Sequence, residues 1–308
     1  MSDRISVQLH PLGHTIEVAP GTPLRDVLLS HGVEFPCGGR GHCRRCRVRL
    51  QSGSLPPTPR ERSLLSHKEI ANGWRLACCA TVSTPITLEI EQFCMPILAD
   101  ESHFAFEPRP GLGIAIDVGT TTIVAQLLDL QTGSVLASAS ALNPQAAYGS
   151  DLMSRVRHAL EAGGRRRLAH LVRSATGRLI ARLLAEAGSA PERVESIVAV
   201  GNTVMHHLFC GLDVSNLAVA PFKSDRLGLA RVPAAQLGWP TASGPDLEFL
   251  PCLGGFVGSD VLAGILATAM HERDEPVALI DLGTNGEIVV GNAERMLCAS
   301  AAAGPAFE

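Results

Sequence analysis

The feature that most constrains this chain is a glycine-rich stretch with three cysteines within ten residues. It reads PCGGRGHCRRC, with five residues between Cys37 and Cys43 and two between Cys43 and Cys46. Two further cysteines, Cys78 and Cys79, stand side by side in RLACC. The N-terminus lacks the basic start and apolar run of a secretory signal, so we expect a cytoplasmic chain whose thiols stay reduced. The cysteines are therefore expected to bind a metal group rather than each other.

The spacing of the three cysteines is typical of an iron-sulfur loop. Such clusters are held by four thiolates, and the plant-type arrangement places three on one loop and the fourth far along the chain. This loop has one extra residue between its first two cysteines. Gly38, Gly39 and Gly41 allow the unusual backbone angles and close N–H approaches that a cluster requires. Zinc is the alternative, but structural zinc usually takes two Cys-x-x-Cys pairs, and only one is present.

The fourth thiolate and the charge of the loop leave alternatives open. Cys78 and Cys79 are both available, and by this pattern only one of them binds a given cluster. Four arginines lie in or beside the loop: Arg40, Arg44, Arg45 and Arg47. They either raise the potential of an anionic cluster, dock an acidic partner, or form a solvated basic edge. Plant-type clusters have potentials near about −400 mV, so the expected role is transfer of single low-potential electrons.

The order of elements indicates a small β-grasp domain followed by an α/β region. Apolar alternation predicts strands in ISVQLH and HTIEV, then a helix capped by Thr22, and later strands in CRVRLQSG and WRLACCATVSTPITLEI. The segment LPPTPRERSLLSHKEI is interpreted as a polar connection. Alternating strands and helices after it predict a sheet covered by helices. We expect a ferredoxin-type domain over 1–93, a linker over 94–112, an α/β middle domain over 113–274, and the incomplete start of another domain over 275–308.

Two segments of the α/β region repeat one pattern. GIAIDVGTTTIVAQLLD and PVALIDLGTNGEIVVGN each contain an apolar strand, Asp-x-Gly-Thr, a polar pair and a second apolar strand. The turn of such a hairpin offers N–H groups and hydroxyls to phosphate, and an aspartate at the strand end can hold magnesium through water. Because the pattern occurs twice, we predict a phosphate-binding site. Its residues are Asp117, Gly119, Thr120, Thr121 and Thr122 in the first hairpin and Asp281, Gly283, Thr284, Asn285, Gly286 and Glu287 in the second.

In combination these features resemble the family of reductive activators of corrinoid proteins. Beside the cysteine loop, the matching segments are AIDVGTTT, NPQAAYGSD, VAVGNTVMHHL, LPCLGGFVGSD, IDLGTNGEIV and AAAGPAFE. The resemblance implies an α+β fold with a β-grasp 2Fe-2S ferredoxin domain, an α/β actin/Hsp70-like (ASKHA) middle domain and the start of a second ASKHA lobe. In relatives RLAC is followed by a residue that is not a ligand, which implies Cys78 as the fourth ligand. It also implies ATP and Mg²⁺ beside the 2Fe-2S cluster.

The same resemblance implies an activity and partners. The ferredoxin domain passes an electron from a reductase to the Co(II) of a corrinoid protein in a methyltransferase system, and ATP drives the step. Apolar residues make up 46% of the chain, charged ones 18%, and the net charge is −4, so we expect no nucleic-acid partner and no membrane. The alternative is an electron-transfer ferredoxin fused to a non-catalytic nucleotide-fold docking module. A small-molecule kinase is disfavoured because no substrate base can be identified.

Two further expectations follow from the resemblance. Family members continue for several hundred residues past GPAFE with a glycine-rich adenosine-binding segment, so we expect weak or absent ATP hydrolysis by these 308 residues. Arg44 stands where relatives often have glycine, and we expect it to alter the cluster potential more than the ligation.

Four polar residues outside these motifs are given structural roles. His206 and His207 are adjacent, so they point to different faces of a helix and are expected to pack rather than share a metal. Asp151 and Asp260 precede predicted helices and are interpreted as caps.

Overall fold

Alternating burial explains the first strands of the chain. The structure is a computed structural model and describes residues 4–10, 13–29, 33, 35, 39–90, 106–149, 151–283 and 285–302. In β1 (Ile5–His10) the side chains of Ile5, Val7 and Leu9 are buried, while Gln8 and His10 are exposed. This period of two is typical of a strand with one face on a core. The predicted hairpin with β2 (His14–Val18) is confirmed by its antiparallel register.

The N-terminal region forms a five-stranded mixed sheet in the order β2-β1-β7-β4-β5. The further strands of this region are β3 (Thr22–Pro23), β4 (Arg47–Gly53), β5 (Trp74–Leu76), β6 (Thr81–Val82) and β7 (Ile86–Ile90). A short ribbon pairs β3 with β6. Helix α1 (Leu24–Leu29) occupies the predicted place, but the predicted cap is wrong. Thr22 lies in β3, and its hydroxyl donates to the carbonyl oxygen of Ala19 at 2.7 Å.

The predicted polar connection contains two short helices instead. These are α2 (Pro59–Leu64) and α3 (His67–Ala71). Each begins with a capping box, in which the Thr58 or Ser66 hydroxyl accepts the N–H of a glutamate three residues later and that glutamate accepts the cap N–H. The strings TPRE and SHKE carry this signal in the sequence, so the connection was interpreted too simply.

The second region is built on a six-stranded sheet in the order β10-β9-β8-β11-β13-β12. Its strands are β8 (Leu112–Val118), β9 (Thr122–Asp129), β10 (Val135–Leu142), β11 (Val194–Val200), β12 (Ala230–Val232) and β13 (Leu247–Phe249). β8, β11 and β13 run parallel, while β8, β9 and β10 form an antiparallel meander. Its helices are α4 (Leu152–Leu160), α5 (Gly164–Glu186), α6 (Thr203–Cys210) and α7 (Ser259–Ala267). The predicted sheet covered by helices is confirmed, because α5 packs across β9 and β10.

A three-stranded antiparallel sheet follows. It consists of β14 (Val277–Leu282), β15 (Asn285–Gly291) and β16 (Met296–Ala302). Short 3-10 helices span Ala77–Cys79, Pro144–Tyr148, Pro191–Arg193, Ser215–Leu217, Ala234–Gln236 and Met270–Glu272. The two predicted hairpins are confirmed, since β8 pairs with β9 and β14 pairs with β15, although their registers differ by one residue. Asp117 lies opposite Val124, and Asp281 lies opposite Glu287.

The chain divides into two compact units. One comprises residues 1–96 with 144–150, and the other comprises 97–143 with 151–308. The first has a core around Leu9, Leu28 and Leu88. In the part of the chain that the structure describes, no helix combines the length and the apolar character needed to cross a bilayer.

Candidate functional site

The cysteine loop, residues 37–46, is anchored at its end by the pairing of β4 with β5. Arg47 begins β4 directly after Cys46, and it lies opposite Leu76 at the end of β5. The N–H of Ala77 donates to the carbonyl oxygen of Cys46 at 2.9 Å. The last cysteine of the loop therefore lies beside the turn that carries Cys78. Cys37 and Gly38 lie outside the described residues.

The glycines of the loop have the backbone that the sequence predicted. Gly39 and Gly41 have φ angles of +74° and +70°. A Cβ atom on Gly41 would lie 3.2 Å from the Cys79 sulfur, so a side chain there would crowd the thiols. Cys46 is buried and Cys43 and Cys78 are half-buried. Thiols on turns of positive φ fit an iron-sulfur group.

The arrangement of thiols bears on the choice between zinc and iron. Among the described residues, which omit Cys37, no three His, Cys, Asp or Glu side chains converge where one metal ion could sit. A structural zinc gathers four ligands around one ion. A binuclear cluster divides its four thiolates between two irons. The glycine turns at Gly39 and Gly41, which a zinc site does not explain, favour the binuclear cluster. The Cys78 and Cys79 sulfurs are 3.7 Å apart, and which of them is the fourth ligand stays a prediction.

Two of the four loop arginines bind a carboxylate of the same unit. Glu69 accepts Arg44 at 2.7 Å and Arg47 at 3.3 Å. Hydrogen bonds from Ser66 lower the pKa of Glu69, with a further contribution from the two arginines. The Arg47 guanidinium also lies 4.3 Å from the centre of the Trp74 ring, a cation–π distance. Arg44 and Arg47 therefore tie the loop to α3 instead of forming a purely solvated edge.

Arg60 is a loop contact that the sequence reasoning missed. Its Nε donates to the carbonyl oxygen of Gly41 at 2.9 Å, and its Nη2 lies 2.6 Å from Nδ1 of His42. The TPRE capping box sets the start of α2 and hence the position of Arg60. Recognising that box would have identified α2 as an element next to the loop.

Arg44 has a backbone conformation that favours glycine. Its φ angle is +57°, in the left-handed region that costs a residue with a Cβ about 1–2 kcal/mol. A glycine at this position would avoid that cost. The bond to Glu69 is the contact that the Arg44 side chain adds.

The first Asp-x-Gly-Thr turn connects β8 to β9. A Cβ atom on Gly119 would lie 2.4 Å from the carbonyl oxygen of Thr122, so only glycine fits. Asn143 holds the turn from outside the motif: its side-chain N–H donates to the Gly119 oxygen at 2.9 Å, and its backbone N–H donates to the Thr121 oxygen at 2.7 Å. Thr120 is buried, with 5% of its surface exposed.

Thr120 is oriented toward the protein rather than toward solvent. Its hydroxyl accepts a hydrogen bond of 2.9 Å from the side chain of Asn202. Thr121 and Thr122 are half-buried and keep partly exposed surfaces. Of the three threonines in the motif, Thr121 and Thr122 are thus the ones open to a ligand.

The structure brings the aspartates of both hairpins together with Glu287 of the second hairpin and with Asp260, which lies outside the predicted site. Asp117 and Asp281 interact electrostatically with each other and with Asp260 of α7. Glu287, opposite Asp281 in the hairpin, interacts with Asp260 and Asp281 and accepts the Ser300 hydroxyl at 2.9 Å. We call these four residues the carboxylate cluster. The prediction that the two hairpins form one site is consistent with this placement.

Asp260 corrects a sequence interpretation. It is not the cap of α7, because that position belongs to Gly258, and Asp260 lies in the first turn of the helix. Its carboxylate instead faces those of Asp117 and Asp281. No local pattern reveals this, since the three aspartates are brought together only by the tertiary fold. Asp151, by contrast, is confirmed as a cap: one of its carboxylate oxygens accepts the Ser154 N–H at 2.8 Å.

The carboxylate cluster favours a bound cation. Desolvation of the carboxyl, followed by the charges of Asp260 and Asp281, raises the pKa of Asp117 to about 7, although part of the residue is exposed. Burial likewise raises the pKa of Asp260 to about 6 and the pKa of Glu287 above its ordinary value. Carboxylate oxygens beside a phosphate-type turn are the ligands that Mg²⁺ prefers. Among the described residues no three carboxylates converge on one ion directly, so Asp117, Asp260 and Asp281 fit a magnesium held through water.

The remaining predicted residues are placed as follows. Gly283 lies in the turn of the second hairpin and is exposed, and Gly286 is buried in β15. Thr284 lies outside the described residues, and Asn285 begins β15. His206 and His207 are both fully buried in α6, as a packing role predicts, but their Nδ1 atoms lie 3.4 Å apart, so the expectation that they point to different faces is wrong.

Comparisons with known proteins agree with this architecture. Three family models match: a 2Fe-2S iron-sulfur cluster binding domain over 7–83, the RACo middle region over 112–273, and the C-terminal ASKHA domain of RACo over 275–308. A solved structure of a reductive activator for corrinoid, iron-sulfur protein superposes with a TM-score of 0.61 at 26% identity. The superposition covers 99% of this chain and 64% of the chain of that activator. The fold is therefore α+β, with a ferredoxin-type domain and ASKHA-type regions.

Two curated relatives are similar over about two thirds of this chain. The corrinoid activation enzyme RamQ of Eubacterium limosum is 36% identical over 202 residues, 65% of this chain and 34% of that protein. The [Co(II) methylated amine-specific corrinoid protein] reductase of Methanosarcina barkeri is 31% identical over 205 residues, 64% of this chain and 37% of that protein. The aligned part thus spans about a third of the length of these relatives. From its cysteine loop, its paired hairpins and the match of the RACo middle region, this chain belongs to the family of reductive activators of corrinoid proteins.

Proposed function

We propose that this chain acts in ATP-dependent reductive activation, in which one electron passes to the Co(II) of a partner corrinoid protein and gives Co(I). The observation that carries the proposal is the presence in one chain of a cysteine loop, with Cys46 held beside the Cys78 turn, and of a carboxylate cluster on two phosphate-type hairpins. The printed names of the relatives describe corrinoid activation and Co(II) corrinoid reduction. A methyltransferase corrinoid protein is the proposed acceptor, and a reductase is the proposed electron donor.

The electron site comprises Cys37, Cys43, Cys46 and Cys78. When bound there, a 2Fe-2S cluster supplies one-electron chemistry at low potential. Arg44 and Arg47, tied to Glu69, hold the loop and place positive charge beside the anionic group. Nine cysteines in reduced form suit a cytoplasmic location, which is part of the proposal.

The nucleotide site comprises the turn at residues 119–122 and the carboxylate cluster, with Mg²⁺ held by Asp117, Asp260 and Asp281. Nucleotide is needed because each 59 mV of an uphill one-electron step costs a factor of ten, so a gap of about 120 mV leaves about one acceptor in a hundred reduced. A nucleotide shifts that equilibrium only if it binds one conformation or complex better than another. The second hairpin supplies Asp281 and Glu287 to the same site, which makes such differential binding sensitive to the position of this hairpin.

The test is reduction of a corrinoid protein under strictly anaerobic conditions. The reconstituted chain, a low-potential reductant and a Co(II) corrinoid protein are mixed with and without MgATP, and Co(I) is followed by its absorbance. We expect Co(I) to accumulate only with MgATP and Asp117→Asn to abolish this dependence. Asp129→Asn is the matched control, since Asp129 lies at the far end of the same hairpin and an asparagine oxygen can still accept its turn hydrogen bonds. Equal Co(I) formation with and without MgATP would refute ATP coupling.

A second candidate function has one observation in its favour. The outward face of the three-stranded sheet is apolar and exposed, including Leu282 at 82%, Leu297 at 61% and Ile280 at 58%. Exposed apolar patches of this kind mark interaction surfaces. They favour a ferredoxin fused to a non-catalytic docking module. Binding of MgATP without any effect on Co(II) reduction would support this second candidate.

A further inference from the structure

The segment VGNT, which joins β11 to α6, contacts both the first Asp-x-Gly-Thr turn and the loop before α7. We propose that Asn202 in this segment is a positioning residue. It fixes the turn at 119–121 relative to the loop at 254–259, and so sets the position of Asp260 relative to Asp117. The inference rests on the proposed nucleotide site and adds a residue to it that contacts neither phosphate nor metal.

Both ends of the Asn202 side chain are engaged. Its amide N–H donates to the Thr120 hydroxyl at 2.9 Å, and its amide oxygen accepts the N–H of Met205 at 3.0 Å and thereby caps α6. Asn202 is 6% exposed and Thr120 is 5% exposed, so the contact between them is protected from water. A buried polar pair that loses one partner leaves the other unsatisfied. The orientation of the turn therefore depends on a residue 82 positions away in the chain.

The neighbours of Asn202 hold the loop before α7. The N–H of Ser259 donates to the Gly201 oxygen at 2.9 Å, and the Thr203 hydroxyl donates to the Gly254 oxygen at 2.6 Å. A Cβ atom on Gly258 would lie 2.1 Å from the Gly201 oxygen and 2.3 Å from the Asn202 Cα. The two backbones therefore touch directly, and a shift of residues 201–203 is transmitted to the loop.

This loop leads straight to the carboxylate cluster. Ser259 is the first residue of α7, and Asp260 follows it in the same turn. One continuous set of contacts thus runs from Thr120 through Asn202 and its neighbours to Asp260. Asn143 supports the other side of the turn through Gly119 and Thr121, so loss of the Asn202 contact is expected to loosen the turn without unfolding the unit.

The variants that test this role separate the contact of Asn202 with Thr120 from the capping of α6 by Asn202. Asn202→Ser keeps an oxygen that caps α6 but is too short to reach Thr120. Thr120→Val removes the hydroxyl at nearly constant shape, and Thr120→Ser restores it. Asn292→Ser is the matched control, because Asn292 also donates to a backbone oxygen, that of Asp274 at 2.8 Å, and accepts turn N–H groups at the other end of β15.

The first measurement is amide hydrogen exchange on the nucleotide-free chain. Peptides covering 118–123 and 254–260 are expected to exchange about tenfold faster in Asn202→Ser and Thr120→Val, as loss of one buried hydrogen bond predicts. Thr120→Ser is expected to recover the slow exchange, and Asn292→Ser and peptides from α5 are expected to be unaffected. The double variant should exchange no faster than either single variant, because both remove the same contact. Unchanged exchange in Asn202→Ser and Thr120→Val overturns the positioning role.

The second measurement is MgADP affinity by calorimetry. We expect binding about tenfold weaker in Asn202→Ser and Thr120→Val, with recovery in Thr120→Ser. If the original chain binds no MgADP while exchange responds as described, the proposed nucleotide function is wrong and the positioning role of Asn202 is supported. If the original chain binds MgADP and both variants bind it equally well, the positioning role fails and the nucleotide function stands.

Discussion

The cysteine loop and the carboxylate cluster are both built on glycine turns, yet they carry opposite charges. Four arginines lie in or directly after the loop within eight residues, whereas the cluster gathers Asp117, Asp260, Asp281 and Glu287. At the loop, Glu69 binds two of the arginines, so part of the charge is compensated within the protein. At the cluster, desolvation and then the neighbouring carboxylates raise the pKa values of Asp117 and Asp260, and a bound cation would lower them. The comparison teaches that the loop suits an anionic group, while the cluster requires a cation.

The largest expected effect is at the loop, where loss of one cysteine ligand is expected to prevent binding of the whole cluster. Cys46→Ser and Cys78→Ser are each expected to abolish iron incorporation, since a binuclear cluster requires four ligands. Cys79→Ser is expected to retain it. Iron content and visible absorbance after anaerobic reconstitution measure the outcome. If Cys79→Ser loses iron and Cys78→Ser keeps it, the fourth ligand is Cys79 and our assignment is wrong.

At the cluster, removal of a single negative charge is expected to weaken MgADP binding and to raise the stability of the metal-free protein. Asp260→Asn should weaken MgADP binding by about 10- to 100-fold, the range found when groups around a metal are removed. The same change should raise the metal-free unfolding free energy by about 1 kcal/mol at pH 8, because it relieves repulsion in a partly exposed site. Calorimetry and denaturant unfolding without Mg²⁺ measure the two effects. Lower stability with unchanged binding would restore the interpretation of Asp260 as a structural residue only.

Acid is expected to act on the unit that contains the cluster in two opposite ways: protonation of a buried histidine weakens the unit, while protonation of Asp117 and Asp260, whose pKa values are raised, strengthens it. Burial, then the neighbouring His207, lowers the pKa of His206 to about 4. The folded state thus prefers the neutral imidazole, and stability is lost as the pH falls from the unfolded value of about 6.5 toward 4. His206 alone should cost about 2 kcal/mol between pH 7 and pH 5.

Tryptophan fluorescence isolates this effect from the other unit. In a Trp74→Phe background, Trp239 is the single tryptophan, and it reports urea unfolding of the second unit. Between pH 7 and pH 5 the stability of the His206→Gln variant is expected to change more favourably than that of its parent, by about 2 kcal/mol, because the carboxyls contribute equally to both proteins. An equal change in both proteins would contradict the role of His206.

The smallest expected effect concerns backbone strain in the cysteine loop. Arg44→Gly and Arg44→Ala both lose the bond to Glu69, so comparing them isolates the left-handed φ of +57°. Glycine should be the more stable of the two by about 1 kcal/mol. Thermal unfolding of the reconstituted chain measures the difference. Equal stability would mean that residue 44 changes its backbone conformation when the side chain is shortened.

Local patterns in the sequence predicted what depends on local geometry. The backbone of Gly39 and Gly41 and the two hairpins are confirmed because spacing and periodicity determine them directly. The capping boxes of α2 and α3 were equally local and were overlooked. Thr22 was taken as a cap because its sequence context fits one, but pairing of β3 with β6 determines its place.

Tertiary contacts determined the rest of the candidate site. Thr120 looks like a phosphate ligand in sequence, but the distant Asn202 fixes it inward. Asp260 looks like a cap, but the packing of α7 brings it to the aspartates of two hairpins. Neither pairing has a local signal, because each joins segments far apart in the chain.

The measurement that tests the account most directly is iron and sulfide analysis of anaerobically reconstituted chain, with electron paramagnetic resonance before and after reduction. The account predicts about two irons and two sulfides per chain and a paramagnetic state that forms on uptake of one electron. It also predicts that the paramagnetic state is lost in Cys46→Ser. Colourless protein that carries zinc and takes up no iron or sulfide would contradict it.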